Sequence, residues 1–471
     1  MNNTPRTVPI IPTQLESWGR IILEKCQVAQ PTDHTSLVTL CQELLANNQA
    51  ICPRGAGLSF LDVAMDSQAV VVDVARLNRI LEFDSTQGIL VAEPGVTLGQ
   101  ILDLTLPRGW VIGGIPGTPD VTLAGAIGSN IHGKDTFNHG CFANGVQALE
   151  LLCPDGTLRL LDADHEGELF HAIPGSLGLL GLITRITLRL HAVPANAYLA
   201  VQRIPFTSIS ELLTRFATLR NDSHMAYAWL DAFVPEGRGI LESAVFIPPP
   251  AGTTYRPNHN RPRRLFGLLP IQPTYSLLQP CMGRPAMRLH NKLKFLATST
   301  TRPADCIPFN DYNFPLAYTI PEVRGLFPGG FMEIQPLVPK DQAENFLKEV
   351  IRLGIAHGCE SWLCAIKLFK KEQLPFAFAL DGYSISLESP GRLRFHPRYR
   401  QFKKDICELT LAVGGLLNMY KGGDLDAAFI VHGFPNLSKL IQMKGNIDPK
   451  DCFMNGFWRR VKNEEEKLFT S

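Results

Sequence analysis

Along the first 190 residues the apolar positions switch repeatedly between helical and strand spacing. Residues 36–45 set Leu37, Leu40 and Leu44 on one face of a helix. Residues 51–60 (ICPRGAGLSF) predict a short strand running into a glycine loop. The β-branched run 69–74 (AVVVDV) predicts a strand, and 88–95 (GILVAEPG) another, closed by Pro94 and Gly95. Residues 96–106 (VTLGQILDLTL) predict a helix leading to a glycine-rich stretch from Gly113 to Gly133. Residues 146–162 predict a hairpin turning at Pro154, Asp155 and Gly156. The alternating run 181–193 (GLITRITLRLHAV) closes the region as a strand.

The pattern changes after about Pro194. Residues 195–245 predict mixed helix and strand. Residues 248–280 are rich in proline and arginine without periodicity, which predicts a long surface loop. Order returns with a strand over 331–338 (FMEIQPLV). A helix follows, capped by Asp341 with Glu344 three residues on, to about Ala356. Residues 361–369 and 383–389 predict two more strands, and 395–411 a helix. The stretch 414–426 (GGLLNMYKGGDLD) precedes a helical tail. No internal repeat is present.

Composition narrows the function classes. The 471 residues are 45% hydrophobic and 19% charged, ordinary for a globular protein. A net charge of +1 gives no bulk case for nucleic acid binding. The eleven cysteines include no CxxC pair, and no histidines lie near Cys359 and Cys364 at zinc-ligand spacing. No metal site is expected, and the cysteines predict buried free thiols from a reducing compartment. No signal-peptide pattern opens the chain, and its longest apolar runs fall short of a membrane span. The expectation is a soluble, cytoplasmic protein.

Two glycine loops carry the candidate chemistry. The first is Pro53, Arg54, Gly55, Ala56, Gly57, Leu58, Ser59, followed by Phe60. Small residues there let backbone N–H groups approach a phosphate and form an anion nest. The second runs from Pro116 to Gly133 and is dense in small and hydroxyl residues between Thr122 and Ser129, enough to lay backbone against a flat, charged cofactor. Neither fits G-x-G-x-x-G followed by an acidic residue, and neither is a Walker A loop, which disfavours NAD and ATP.

The two loops, in this order and spacing, resemble the FAD-binding domain of the vanillyl-alcohol oxidase superfamily. SWGR (17–20), PGTPDVTLAGAIGSNIHGKD (116–135), GLLGLITR (178–185), SWLCAIKLF (361–369) and GGLLNMYK (414–421) are similar to the decaprenylphosphoryl-ribose 2′-oxidase family. The resemblance spans nearly the whole chain, and IHGK is its most specific part. It implies an α+β fold. A two-subdomain FAD domain of the PCMH type would take residues 1–194, completed by 413–471. A substrate domain with an antiparallel sheet flanked by helices would take 195–412.

The resemblance also implies FAD as cofactor. The bond is expected to be non-covalent, because the first loop carries Leu58 and no histidine. The expected cofactor contacts are the first loop with Phe60, then Gly117, Thr118, Thr122, Leu123, Ala124, Gly125, Ser129, Ile131, His132, Ile183 and Asn418. The family's catalytic positions fall on Lys421, His132, Lys367 and Gln335. The activity implied is oxidation of a sugar or phosphosugar hydroxyl to a ketone by hydride transfer to flavin N5. The resembled oxidase works with a short-chain NADH-dependent reductase as the two halves of an epimerase. A basic loop with Arg256, Arg261, Arg263 and Arg264 would meet a substrate phosphate or an anionic membrane.

Several positions depart from the family. An arginine, a tyrosine and a glycine of the first loop become Leu58, Phe60 and Leu61. A flavin-side tyrosine becomes Asn418, and an active-site cysteine becomes Ser386. Two other readings stay open: an aldonolactone oxidase of the same superfamily, and a protein that keeps the FAD fold without turnover. The first is disfavoured by Leu58 and by the lack of a late HWGK-like motif.

Overall fold

The computed structural model describes residues 8–219, 222–253, 255–258, 264–265, 268–298, 305–318, 320–422 and 425–470. It is an α+β protein. A four-stranded sheet has the order Ile10–Glu16, Leu23–Ala29, Val70–Asp73, Ile51–Arg54, with the last two pairings parallel. Helix His34–Ala46 packs on it through Leu37, Leu40, Cys41 and Leu44, capped by Asp33 and Ser36 bonding each other's backbone. The central strand Val70–Asp73 is covered on both faces, as its unbroken valines anticipate. A five-stranded antiparallel sheet follows, ordered Ile80–Asp84, Ile89–Ala92, Leu182–Arg189, Val146–Leu152, Leu158–Asp162. The predicted hairpin is its outer pair, with Cys153 and Thr157 closing the turn.

The remaining chain builds a nine-stranded sheet in which the strands Tyr198–Phe206, Arg238–Ile247, Met225–Asp231, Ala365–Phe369 and Gly382–Pro390 lie side by side, all antiparallel. Helices Ile209–Ala217, Ala343–His357 and Pro397–Ala412 contribute to the apolar core on one face. Strand alternation then decides what the other face shows. In Gly382–Pro390, Tyr383, Ile385 and Leu387 point into that core. Ser384, Ser386 and Glu388 therefore point the opposite way. The same split places Met332 and Ile334 in the core and Phe331 and Glu333 opposite, and sends Ile366 inward and Ala365 and Lys367 outward.

The C-terminal segment returns to the first sheet. Ile51 bridges Phe453, with Ile51 N–H donating to the Cys452 carbonyl at 2.7 Å and Met454 N–H to the Ile51 carbonyl at 2.8 Å. Lys444 is buried behind this bridge. Its ammonium lies 2.6 Å from Asp448 and donates to the Leu179 carbonyl at 3.2 Å. Met454, Phe457, Trp458 and Val461 share one apolar cluster with residues from Leu61 to Leu190.

Four expectations need correction. The strand over 331–338 is two strands, Phe331–Ile334 and Pro336–Pro339, broken at Gln335, and Pro336 has no N–H to continue the first ladder. The helix after it starts from Gln342 without a side-chain cap, so Asp341 is not its cap. The 248–280 stretch is not all loop: Ile271–Leu278 is a helix rooted by the buried Tyr275, preceded by the short strand pair Arg264–Leu265 and Leu269–Pro270. Arg261 and Arg263 lie outside the described residues. Of the eleven free cysteines, eight are buried, whereas Cys281 and Cys306 are exposed and Cys452 is half-buried.

Candidate active site

The second face of the large sheet and the two glycine loops enclose one cavity of about 430 Å³. The first loop lines it from Pro53 to Phe60. Gly117, Thr118, Thr122, Ala124, Gly125, Ser129, Ile131 and His132 line it from the second loop. Ile183 comes from the five-stranded sheet, and Asn418, Tyr420 and Lys421 from the turn after Leu416–Leu417. Almost every residue singled out from the sequence thus meets in one space.

Two do not line it. Leu123 is fully buried in the apolar core, and its N–H is bonded to the Val96 carbonyl. Gln335 sits one layer back. Its Oε1 accepts from Asn418 Nδ2 at 2.7 Å and lies 3.2 Å from His132 Nε2, while its Nε2 reaches Ser384 Oγ at 3.4 Å. Gln335 orients two cavity residues rather than facing the cavity.

The loops are built to approach each other. Ala56 N–H donates to Thr122 Oγ1 at 3.3 Å. A Cβ on Gly55 would collide with that same hydroxyl, so only glycine fits. Thr122 therefore locks one loop to the other. Gly117 has open space where a side chain would project. Ser59 Oγ is buried with no hydrogen-bond partner in the protein. A cradle of bare backbone with an orphaned hydroxyl is what a polar, extended cofactor such as FAD completes. The residues present fit the group.

At the sheet end, charged side chains converge. Lys367 Nζ lies 3.5 Å from His132 Nδ1. Burial, then the charge of Lys421, lowers Lys367 to about 7. Burial, then the two lysines, holds His132 well below the ordinary histidine range, so it is neutral. Gln335 Oε1 faces Nε2, which assigns the proton there and leaves the Nδ1 lone pair toward Lys367. The ring is wedged edge-on against Phe369, with centroids 4.9 Å apart. Lys421 pairs with Glu333 at 3.0 Å.

Sequence reasoning missed Glu333, Glu388 and, apart from Phe60, the aromatic wall. Trp18, Phe60 and Phe331 line the cavity with ring centroids 4.7–5.5 Å apart. The alternation of FMEI and ISLES, once paired in register, was the signal that could have found the two glutamates. Within IHGK the lysine turns away: Lys134 Nζ donates to the Tyr312 carbonyl and lies 3.9 Å from the Tyr312 ring centre. That motif delivers its histidine to the cavity and uses its lysine as a tether.

The comparisons agree with this geometry. An FAD binding domain model matches residues 27–162. Decaprenylphosphoryl-beta-D-ribose oxidase of Mycolicibacterium smegmatis is 27% identical over 472 residues, covering 96% of this chain and 98% of that protein. Human Delta(24)-sterol reductase is 30% identical over 31% of this chain and 28% of its own length. Bovine L-gulonolactone oxidase is 26% identical over 42% of this chain and 44% of its own. The last two matches are partial, whereas the first runs through both halves of the fold. The chain is an FAD-dependent oxidoreductase, similar over nearly its whole length to decaprenylphosphoryl-beta-D-ribose oxidase.

Proposed function

We propose that this enzyme oxidises a secondary hydroxyl of a sugar or lipid-linked phosphosugar to a ketone. The observation that carries the reading is the meeting of the FAD cradle with Lys367, His132 and Lys421 in one cavity. When bound, FAD supplies the hydride acceptor. The chain holds it through the backbone of residues 53–60, through 117–131 and through Ile183. His132 is the only histidine lining the cavity among the described residues, no cysteine lines it, and both His132 nitrogens are engaged. This supports non-covalent binding.

Oxidation of a hydroxyl releases a proton, and the cavity must take it. Lys367, lowered to about 7, is half in its neutral amine form near neutrality, the best match for a general base. Lys421, its charge matched by Glu333, keeps N–H groups that can donate to the developing oxyanion. The aromatic wall gives the substrate an apolar surface and keeps water out.

Further statements belong to the same reading. The FAD domain is 1–194 with 413–471, and the substrate domain is 195–412. The Ile51–Phe453 bridge supports the return of the C-terminus, although Leu199 and Phe309 also enter the shared core. An NADH-dependent short-chain reductase takes the ketone, making the pair an epimerase, by likeness to the family. The protein works in the cytoplasm, in keeping with its eleven free cysteines. No helix among the described residues is long and apolar enough to cross a membrane. Peripheral contact is another matter. Residues 243–304 contain nine lysines and arginines and no acidic residue. Leu268, Leu277, Leu289, Leu293 and Leu296 are each at least 55% exposed there. A stretch this rich in cations and exposed leucines suits an anionic lipid surface.

The experiment that tests the function is spectroscopic. The purified protein should show flavin absorption that moves into the supernatant on acid precipitation. Anaerobic addition of the right sugar should bleach it and yield a product lighter by two hydrogens. A protein that cannot be loaded with FAD, or a loaded protein that no sugar or phosphosugar bleaches, overturns the reading.

A further inference from the structure

Glu333 and Glu388 stand directly opposite each other where Phe331–Ile334 pairs with Gly382–Pro390. Both side chains line the cavity, and both are more than nine-tenths buried. Opposed residues on antiparallel strands have Cα atoms about 4.5–5.5 Å apart. Two carboxyl groups on one face at that spacing repel each other unless their charge is removed or matched.

The fold does both. Glu333 Oε1 lies 3.0 Å from the Lys421 ammonium. Glu388 Oε2 accepts from Ser361 Oγ at 2.8 Å, and the Glu388 N–H donates to that same oxygen at 2.9 Å. Burial first, then the charge of Glu333, raises Glu388 above the ordinary carboxyl range. The sheet end of the cavity, taken as its inner end, therefore offers an ion pair and a neutral carboxyl side by side. Together they give several oxygen acceptors, one O–H donor and no uncompensated positive charge at Lys421.

We propose that Glu333 and Glu388 are specificity-determining residues that take the hydroxyls of a neutral, polyhydroxylated ring and exclude phosphate from the inner end of the cavity. Carboxyl oxygens accept hydroxyl protons well, and a protonated carboxyl also donates. A phosphate in the same place would meet Glu333 and find Lys421 already matched, a like-charge encounter that selects against it. Any phosphate on the substrate then lies toward the outer end. The inference rests on the oxidase reading for what the cavity receives, and the carboxyl pair itself is a feature of this chain's two strands.

The test uses the FAD-loaded protein and the perturbation of its flavin absorbance. The probes are a panel of neutral pentoses and pentitols, and inorganic phosphate. In the unmodified enzyme, neutral members are expected to perturb the spectrum while phosphate does not. Glu333→Gln frees Lys421, so it should weaken the neutral ligands at least tenfold and admit phosphate. Glu388→Ala should weaken the neutral ligands without admitting phosphate, because Glu333 still holds Lys421; this variant carries the test if Glu333→Gln fails to retain flavin. A merely structural role gives no gain of phosphate binding. Phosphate perturbing the unmodified enzyme as strongly as the sugars, no neutral ligand perturbing it, or variants that leave both responses unchanged would each overturn the proposal. Bleaching by a sugar with unshifted variants sinks the carboxyl pair alone. The expected shifts without any bleaching sink the oxidase reading alone.

Discussion

Lys367 Nζ faces the unprotonated Nδ1 of His132 across 3.5 Å. His132 is buried and Lys367 half-buried, and the histidine has no charge to offer a cationic neighbour. Burial and Lys421 therefore lower Lys367 to about 7. The sign follows directly. Below that value the lysine is an ammonium and cannot accept a proton; above it the free amine can. Anaerobic flavin reduction should rise with pH through an inflection near 7. Lys367→Met should remove the inflection and slow reduction by about 10²–10⁴-fold, the usual worth of a general base. A profile that keeps its rising limb in the variant would move the base elsewhere. Stability should follow a related rule. Between about 7 and 10 the unfolded chain holds this proton and the folded one does not, so this group makes stability increase with pH there.

Ser386 stands opposite Ala365 in the sheet and lines the cavity where the family carries a cysteine. A serine hydroxyl is a poor nucleophile without an adjacent base. Electrophilic inhibitors that trap the family cysteine should leave no added mass on the peptide containing Ser386. Ser386→Cys should gain that mass. An adduct on the unmodified serine, found by peptide mapping, would refute this, and the exposed Cys281 and Cys306 serve as internal markers for non-specific reaction.

The contact between Gly55 and Thr122 fixes the spacing of the two cofactor loops. Gly55→Ala pushes a methyl into the Thr122 hydroxyl. Overpacking of this kind costs about 1–3 kcal/mol, which corresponds to roughly tenfold or more in FAD retention. Adding Thr122→Ala to Gly55→Ala should recover part of the loss, since it removes the atom that is struck. Flavin content after dialysis measures both. Equal retention in all three proteins would mean that the loop spacing does not control binding.

How much of this was legible beforehand depended on range. Helix His34–Ala46 and the hairpin at Pro154–Gly156 follow from local periodicity and turn residues, and both formed where expected. The glycine loops were legible because bare backbone near a phosphate demands small residues. Glu333 and Glu388 were not legible. Each looks like a surface charge within its own strand, and only the register across 55 residues of chain buries them together. Gln335 was expected in the substrate pocket itself, and its place one layer back, behind His132, depends on the strand break that Pro336 enforces. The helix Ile271–Leu278 was hidden by its proline-rich flanks and by leucines that face outward, with only Tyr275 buried.

Outward leucines on the next helix, Arg284–Thr298, give the last prediction. Leu289, Leu293 and Leu296 recur at helical spacing along Arg284–Thr298, while Met287 and Asn291 are buried on the inner side. The inner side joins the cluster of Phe327, Phe331 and Trp362, and Phe331 is part of the cavity wall. The apolar stripe thus lies one layer from the substrate space. Each basic residue near an anionic surface adds about 1 kcal/mol of attraction, and salt should weaken it. Arg284 is tied to Glu360 and Lys294 lies over Trp229, so Arg288 and Lys292 are the cations to reverse. The protein should sediment with phosphatidylglycerol vesicles and not with phosphatidylcholine vesicles. Leu289→Ser with Leu293→Ser, or Arg288→Glu with Lys292→Glu, should lower the bound fraction several-fold while flavin absorbance stays normal. Binding that ignores both lipid charge and these residues would show that the stripe serves no membrane.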